Sequence, residues 1–254
     1  MAKERAGIIT ELGLVTEEDG DRLRGDAAMV PELWMPGTGA LRTSVLATWA
    51  DVLAGLLSAA SIAPHIPITL DLEVQVHRPA TSGRDILGVA SIVKAGRSVV
   101  VSEVRFHERG EATPFAIAHA SFMASPNPEH RAPDGGFTRT MQERQRLSAP
   151  LAERAGSRVL APGQAEVPKS PDGLNAAGGI QGGIVALVVE EAAASCAEVP
   201  VVLSSLGLRY LRPFTLGPAR AQAEVLGDLC IVRVTDTGRD ALGALATARL
   251  APAG

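Results

Sequence analysis

The stretch at residues 175–197, NAAGGIQGGIVALVVEEAAASCA, joins a glycine-rich loop to an almost wholly apolar run of helix-forming length. Four glycines lie within its first nine residues, and two adjacent glutamates, Glu190 and Glu191, follow in the apolar run. A carboxylate on a buried helix costs free energy unless a hydrogen bond or an opposite charge compensates it. The stretch therefore predicts a helix in which at least one glutamate has a partner or a chemical role.

The same plan, one apolar helix followed by several strands, occurs in each half of the chain. In the first half an apolar run with helical spacing predicts a helix over about residues 43–61, and alternating strand-like runs follow it. The dipeptide Arg78-Pro79 recurs as Arg212-Pro213, 134 positions later. We infer an internal duplication of one structural unit.

The predicted organisation has two units and a linker. Residues 127–146 are polar and rich in proline and glycine, which is typical of a connecting segment. We therefore predict an N-terminal unit of residues 1–126, a linker of residues 127–146 and a C-terminal unit of residues 147–254.

Both predicted helices are apolar nearly all round, so each has to be enclosed by other parts of the fold. A long helix followed by antiparallel strands, twice over, suggests a curved sheet that wraps around one central helix. This is the hotdog arrangement. The sequence thus predicts an α+β fold in which two tandem hotdog units pair as a pseudo-dimer within one chain.

Composition restricts the classes of partner. The net charge of −4 argues against nucleic acid, and the apolar run from Ile184 to Val189 is far too short to span a membrane. The first residues, MAKERAGIITELG, contain no apolar segment of the kind that a signal peptide needs. Two cysteines, Cys196 and Cys230, are too few for a disulfide framework. We expect a cytoplasmic protein without nucleic-acid or membrane partners.

The second half resembles the hotdog acyl-CoA thioesterases of the phenylacetate-pathway and hydroxybenzoyl-CoA type. Those families have N-x-x-G-x-x-H/Q-G-G before the helix and an Asp or Glu inside it. The matching positions here are Asn175, Gly178, Gln181, Gly182, Gly183 and Glu190. The resemblance covers about residues 35–125 and 145–250. It implies hydrolysis of an acyl-CoA thioester, with coenzyme A as part of the substrate and with no metal or redox cofactor.

The resemblance also implies roles for these residues. Gly182 is expected to donate its backbone N–H to the thioester oxygen at the helix N-terminus, where free donors and a positive dipole end are available. Glu190 is the favoured acid, which either attacks the thioester or activates water. Asn175 and Gln181 are expected to orient the reacting groups. Gly183 and Ala194 are expected to contact the substrate.

The first half carries a counterpart of this acid. Asp51 lies nine residues after Arg42, which matches the spacing from Gln181 to Glu190. However, Arg42-Thr43-Ser44 replaces the Gln-Gly-Gly triplet. Asp51 therefore either serves a second, altered site or is a relic that pairs with Arg42 or another base. Glu190 has a similar alternative, because it could pair with an arginine at the interface between the units.

Lys94 and Arg97 flank the turn of a predicted hairpin, and the equivalent turn of the second half has no basic residue. Coenzyme A carries several phosphates, so these two side chains are candidates for binding it. The alternative is a solvated hairpin tip.

Two other functions remain open at this point. A hotdog unit could bind acyl-CoA without cleaving it, since fold alone does not establish activity. A hydratase or dehydratase would need a histidine near Asp51 or Glu190, and none of the five histidines lies near either helix start. Their spacing does not suggest a metal site. The sequence also leaves open a homo-oligomer of double-hotdog chains.

Overall fold

The computed structural model describes residues 7–81 and 83–253. The first half contains the helix α1 (Ile8–Glu11), the strands β1 (Val15–Asp19) and β2 (Arg22–Ala27), the long helix α2 (Thr43–Ile62), and the strands β3 (Pro67–Val76), β4 (Ile86–Ala95), β5 (Val100–Glu108) and β6 (Ala116–Ala124). The second half repeats this order with α3 (Leu151–Ala155), β7 (Arg158–Ala161), β8 (Gln164–Val167), α4 (Gly182–Ala194), β9 (Val201–Tyr210), β10 (Ala219–Leu226), β11 (Leu229–Asp236) and β12 (Ala241–Pro252). Both halves therefore have one plan, as the repeat in the sequence predicts.

All twelve strands form one antiparallel sheet in the order β1-β2-β4-β5-β6-β3-β9-β12-β11-β10-β8-β7. Each half contributes six neighbouring strands, and β3 pairs with β9 where the halves meet. The register of that pair is symmetric about Glu73 and Gly207, which face each other. Their numbers differ by 134, the offset that the repeated Arg-Pro dipeptide gives. The tandem hotdog fold with an internal pseudo-dimer is thereby confirmed.

The sheet wraps around α2 and α4. Helix α2 packs on β2 to β6, helix α4 packs on β7 to β12, and the two helices contact each other. Helix α2 is apolar and long enough to cross a membrane by composition alone, but 67% of its apolar window is buried within the fold. Strand β4 can pack closely against α2 because residue 88 is glycine. An added Cβ at Gly88 would lie only 2.8 Å from a methyl group of Leu53 on α2.

The linker of residues 127–146 has no helix and no long strand, but it is fixed to the first half. Thr16 and Met141 form an isolated antiparallel bridge, so the outer edge of β1 is partly covered. Arg146 adds an ion pair with Glu32. Strand β6 ends at Ala124 and α3 begins at Leu151. The division of the chain at residues 126 and 146 stays a prediction.

The short helix α1 belongs to the first half by sequence and contacts the second half in space. Arg154 on α3 pairs with Glu11 on α1 at 2.6 Å and with Asp172 at 2.7 Å. The side chains of Arg154 and Glu11 are both almost completely buried. This ion cluster ties the N-terminal segment to the second unit.

Candidate active site

The helices α2 and α4 are placed so that the N-terminus of each lies beside the acid of the other. Arg42 and Gln181 are the N-cap residues of α2 and α4. Nε2 of Gln181 donates to Oδ2 of Asp51 at 3.0 Å. Nη1 of Arg42 donates to Oε2 of Glu190 at 3.0 Å. Two clefts result, and each combines the loop of one half with the acid of the other.

This arrangement corrects the expectation that Glu190 shares a site with the loop that precedes it. Gly182 and Glu190 lie eight positions apart on one helix. At about 1.5 Å per residue they are roughly 12 Å apart along the axis, which is too far for both to act on one carbonyl group. Packing of the second helix brings Asp51 to Gly182 instead. We name the two sites the Asp51 cleft and the Glu190 cleft.

In the Glu190 cleft the carboxylate is saturated by donors from α2. Oε1 accepts from the backbone N–H of Thr43 at 2.8 Å and from that of Ser44 at 3.2 Å. Oε2 accepts from Oγ of Ser44 at 2.6 Å and from Arg42 at 3.0 Å. The side chain of Glu190 is 1% exposed. Glu190 thus binds the free N–H groups that begin helix α2.

A single arginine compensates both glutamates. Arg42 also donates to Oε1 of Glu191 at 2.7 Å, and its own side chain is 1% exposed. Burial by itself lowers the pKa of Arg42, but the negative charges of Glu190 and Glu191 outweigh burial and raise it. The positive N-terminal end of α2 adds to this compensation. The negative charges of Glu190 and Glu191 are therefore compensated by Arg42, a cation from the other half of the chain.

In the Asp51 cleft no cation pairs with the carboxylate among the described residues. Oδ1 accepts from Oγ1 of Thr69 on β3 at 2.7 Å, and Oδ2 accepts from Gln181. Burial raises the pKa of Asp51 to about 6, against a smaller lowering by the hydrogen bond from Thr69. A carboxyl group with this pKa is ionised at neutral pH and is still able to accept a proton.

Gly182 has an open backbone donor beside this carboxylate. Within residues 7–81 and 83–253, the N–H of Gly182 has no hydrogen-bond acceptor. An added Cβ at Gly182 would lie 3.6 Å from Oδ2 of Asp51 and 3.0 Å from the hydroxyl of Tyr210. Tyr210 donates its hydroxyl hydrogen to the carbonyl of Gly182 at 2.9 Å. Thr43, the equivalent of Gly182 on α2, has its N–H occupied by Glu190.

Gly183 and Asn175 have structural contacts in the same loop. The N–H of Gly183 is capped by Oε1 of Gln181. An added Cβ at Gly183 would lie 2.0 Å from Oγ1 of Thr48 on α2, so glycine permits the helices to approach here. Oδ1 of Asn175 accepts the N–H groups of Ala177 and Gly179, both at 3.0 Å, and so shapes the loop.

A cavity of about 250 Å³ opens beside Asp51. Its walls are mostly apolar and come from α2, the start of β3, the linker and the glycine loop of the second half. Three aromatic side chains line it, which are those of Trp49, Phe122 and Phe137. A cavity of this kind, with one polar end, is typical of a small-molecule site.

The remaining candidates lie elsewhere. Lys94 and Arg97 are exposed at the hairpin between β4 and β5, and neither forms an ion pair within the described residues. Ala194 is the last residue of α4 and is partly exposed. The described part of the chain holds no group of three metal-ligating side chains. Among the described residues, no histidine donates to Asp51 or Glu190.

Sequence reasoning missed Thr69 and Tyr210. Both would stand out in a comparison of the two halves at the offset of 134, because Thr69 corresponds to Leu203 and Tyr210 corresponds to Val76. Polar side chains at these positions occur only around the Asp51 cleft. Tyr210 is also the single tyrosine of the chain.

Comparison with known proteins gives the family context. Residues 39–114 match the sequence model of the thioesterase superfamily. A search among curated proteins gave no match.

Several solved structures resemble nearly the whole chain, and three of them are the following. The 12:0-ACP thioesterase from Umbellularia californica has a TM-score of 0.64 at 13% identity, over 93% of this chain and 99% of that one. An acyl-ACP thioesterase from Bacteroides thetaiotaomicron has a TM-score of 0.62 at 11% identity, over 91% and 98%. The tesB protein of Mycobacterium avium subspecies paratuberculosis has a TM-score of 0.57 at 14% identity, over 96% and 98%. At these identities the likeness shows the fold. Residues 39–114 are thus similar to the thioesterase superfamily, and the chain as a whole has the tandem hotdog fold.

Proposed function

We propose that the protein is an acyl-CoA thioesterase whose working site is the Asp51 cleft. The main support for this proposal is a difference between the first backbone N–H groups of the two helices. The N–H of Gly182 is open beside an ionisable carboxylate, whereas the equivalent N–H of Thr43 is filled by Glu190. A thioester oxygen can therefore reach a helix N-terminus in one cleft and is excluded from the other.

The reaction needs a base and a donor to the carbonyl oxygen. The Asp51 carboxylate takes a proton from water while the water oxygen attacks the thioester carbon. The electron pair of the C=O bond moves to its oxygen, which accepts a hydrogen bond from the N–H of Gly182. The C–S bond then breaks, and the sulfur leaves with the bonding pair and takes the proton from Asp51. The products are the free acid and the coenzyme A thiol.

Neighbouring side chains hold these groups in place. Thr69 and Gln181 each donate to one oxygen of Asp51, which fixes the plane of the carboxylate. Gln181 has no acid–base role, because an amide does not titrate near neutral pH. Tyr210 holds the carbonyl of Gly182 and so orients the peptide at the start of α4. Contact of Lys94 and Arg97 with coenzyme A phosphates stays a prediction.

The test compares matched variants of the two acids, with thiol release measured on short, medium, long and aryl acyl-CoAs. We expect Asp51→Asn to lower kcat by about a hundredfold or more, as loss of a general base does. Glu190→Gln should keep kcat per folded molecule within about threefold. It should instead lower stability by about 1–3 kcal/mol, because it removes the negative charge that accepts four hydrogen bonds at the start of α2, while Arg42 keeps Glu191 as a partner.

A further variant and a further set of substrates distinguish the two clefts and the possible carriers of the acyl group. If Glu190→Gln does not fold, the triple replacement Arg42→Met, Glu190→Leu and Glu191→Gln removes the arginine together with both of its carboxylate partners, and this variant should fold with activity intact. Loss of turnover in that folded variant, with Asp51→Asn still active, would assign the chemistry to the Glu190 cleft. Tight binding of acyl-CoA without any hydrolysis would favour the non-catalytic binding module. The same acyl groups on an acyl carrier protein identify the carrier.

A further inference from the structure

The cavity beside Asp51 is closed by a part of the chain that belongs to neither hotdog unit. Phe137 and Met141 of the linker contribute to its lining, together with Ile9 on α1. The helix wall is formed by side chains of α2 on both sides of Gly55. The linker therefore encloses space that leads to the reacting carboxylate.

The linker is held in this place by hydrogen bonds to β1. The backbone N–H of Thr16 donates to the carbonyl of Met141 at 2.9 Å, and the N–H of Met141 donates back at 3.2 Å. Oγ1 of Thr16 also donates to the carbonyl of Arg139 at 2.6 Å. Since Arg139 lies between Phe137 and Met141 in sequence, these bonds fix the backbone that carries both apolar side chains.

Gly55 opens the same cavity from the helix side. It lies one turn after Asp51 in the interior of α2, where glycine costs up to about 1 kcal/mol relative to alanine. An added Cβ would lie 3.5 Å from a ring carbon of Phe122, which is an ordinary contact, so alanine fits at this position. The equivalent position on α4 is Ala194. Close packing thus does not require this glycine, and its effect is empty space next to the active carboxylate.

We propose that the linker and Gly55 determine the acyl specificity of the Asp51 cleft, and that the preferred substrates carry apolar acyl groups of medium length. This proposal rests on the proposed thioesterase function. Apart from Asp51 and two threonines, the lining side chains are apolar, so a charged or strongly polar acyl group would lose its hydration without compensation. At the ~30 Å³ that one water molecule occupies in the liquid, a volume of about 250 Å³ corresponds to roughly eight water-sized groups, which is the scale of an acyl chain of medium length.

The experiment measures kcat/KM for butyryl-CoA, octanoyl-CoA and palmitoyl-CoA. In the wild type it should rise by about fourfold for each added methylene up to octanoyl-CoA, since each buried methylene stabilises the complex by about 0.8 kcal/mol. Gly55→Leu fills the cavity and should lower the octanoyl value by about tenfold or more, with the butyryl value little changed. Phe137→Ala enlarges the cavity and should raise the palmitoyl value by about tenfold.

Thr138→Ala is the matched control, because Thr138 is exposed on the same linker and does not line the cavity. An unchanged length profile in both Gly55→Leu and Phe137→Ala, equal to that of the control, would overturn the specificity proposal and leave the thioesterase function standing. The opposite failure is also recognisable. Calorimetric binding of the three acyl-CoAs to Asp51→Asn should follow the same length order, and should weaken for octanoyl-CoA when Gly55→Leu is added. That result without wild-type hydrolysis would refute only the proposed catalysis.

Discussion

Asp51 and Glu190 occupy equivalent positions on the two helices and differ by one methylene group. The longer side chain of Glu190 reaches the N–H groups of Thr43 and Ser44 and neutralises the start of the other helix. The shorter side chain of Asp51 accepts a hydrogen bond from the side chain of Gln181 and does not bind the backbone N–H of Gly182. Equivalent positions of the two halves thus hold a carboxylate in a buried ion pair on α4 and a carboxylate without a cationic partner, among the described residues, on α2.

The raised pKa of Asp51 predicts a pH-dependent stability difference between the wild type and Asp51→Asn. The folded-state pKa is about 6, above the ordinary value of 3.8, so the folded protein binds more protons than the unfolded chain between these values. Wild-type stability therefore falls as pH rises from about 4 to about 6. Asparagine does not titrate. Asp51→Asn should be more stable than wild type by up to about 3 kcal/mol at pH 7.5, and about equal to it at pH 3.5.

Denaturant unfolding of both proteins across this pH range measures the difference. Thr69→Val serves as a comparison, because it removes the hydrogen bond that favours the charged form and should move the transition to higher pH. A stability difference that stays constant with pH would show that Asp51 has no raised pKa. The same group should give the acidic limb of the kcat/KM profile, since only the ionised carboxylate accepts a proton from water.

At the scale of elements, sequence patterns predicted the type and the length of helices and strands better than they predicted which elements contact each other. The helix predicted over residues 43–61 is observed as Thr43–Ile62, because apolar spacing and the absence of proline are local properties. The pairing of Asp51 with Gln181 joins positions 130 residues apart. It depends on how two helices pack, which no local pattern contains. The polar composition of the linker similarly predicted a connecting segment, but it did not indicate that Phe137 lines the cavity beside Asp51.

The contact between α2 and α4 depends on Gly183. A methyl group there would overlap Thr48, with the added Cβ at 2.0 Å from Oγ1 and at 2.7 Å from the Cβ of Thr48. We expect Gly183→Ala to destabilise the fold by about 1–3 kcal/mol or more, as overpacking of a close contact does. Chemical unfolding measures this loss.

A second change should partly restore Gly183→Ala. Thr48→Gly removes all the clashing atoms, so the double variant should be more stable than Gly183→Ala alone, although glycine inside α2 costs about 1 kcal/mol. Additive losses in the double variant would mean that the two residues do not limit the approach of the helices. The comparison isolates helix packing from catalysis, because neither substitution removes a group that we assign to the reaction.

On the scale of the whole molecule, the two units complete each other. The sheet is continuous through β3 and β9, and Arg154 on α3 binds Glu11 on α1. The Asp51 cleft takes its acid from the first half and its N–H donor from the second. The proposed site therefore exists only where the duplicated halves meet, and the cavity that opens beside Asp51 has walls from both halves.

Separate expression of residues 1–146 and 147–254 tests this dependence. Neither half alone should hydrolyse acyl-CoA, while the two halves together should regain activity, because only their complex contains both Asp51 and the open Gly182 donor. The first half alone lacks the glycine loop. A dimer of the second half would place Glu190 of one copy against Gln181 of the other, by the same geometry that pairs Asp51 with Gln181 here. Hydrolysis by the second half alone would thus show that a glutamate serves at this position once Arg42 is absent. In that case the Glu190 cleft of the full chain would be inactive because Arg42, Thr43 and Ser44 occupy the carboxylate, and not because the acid is a glutamate.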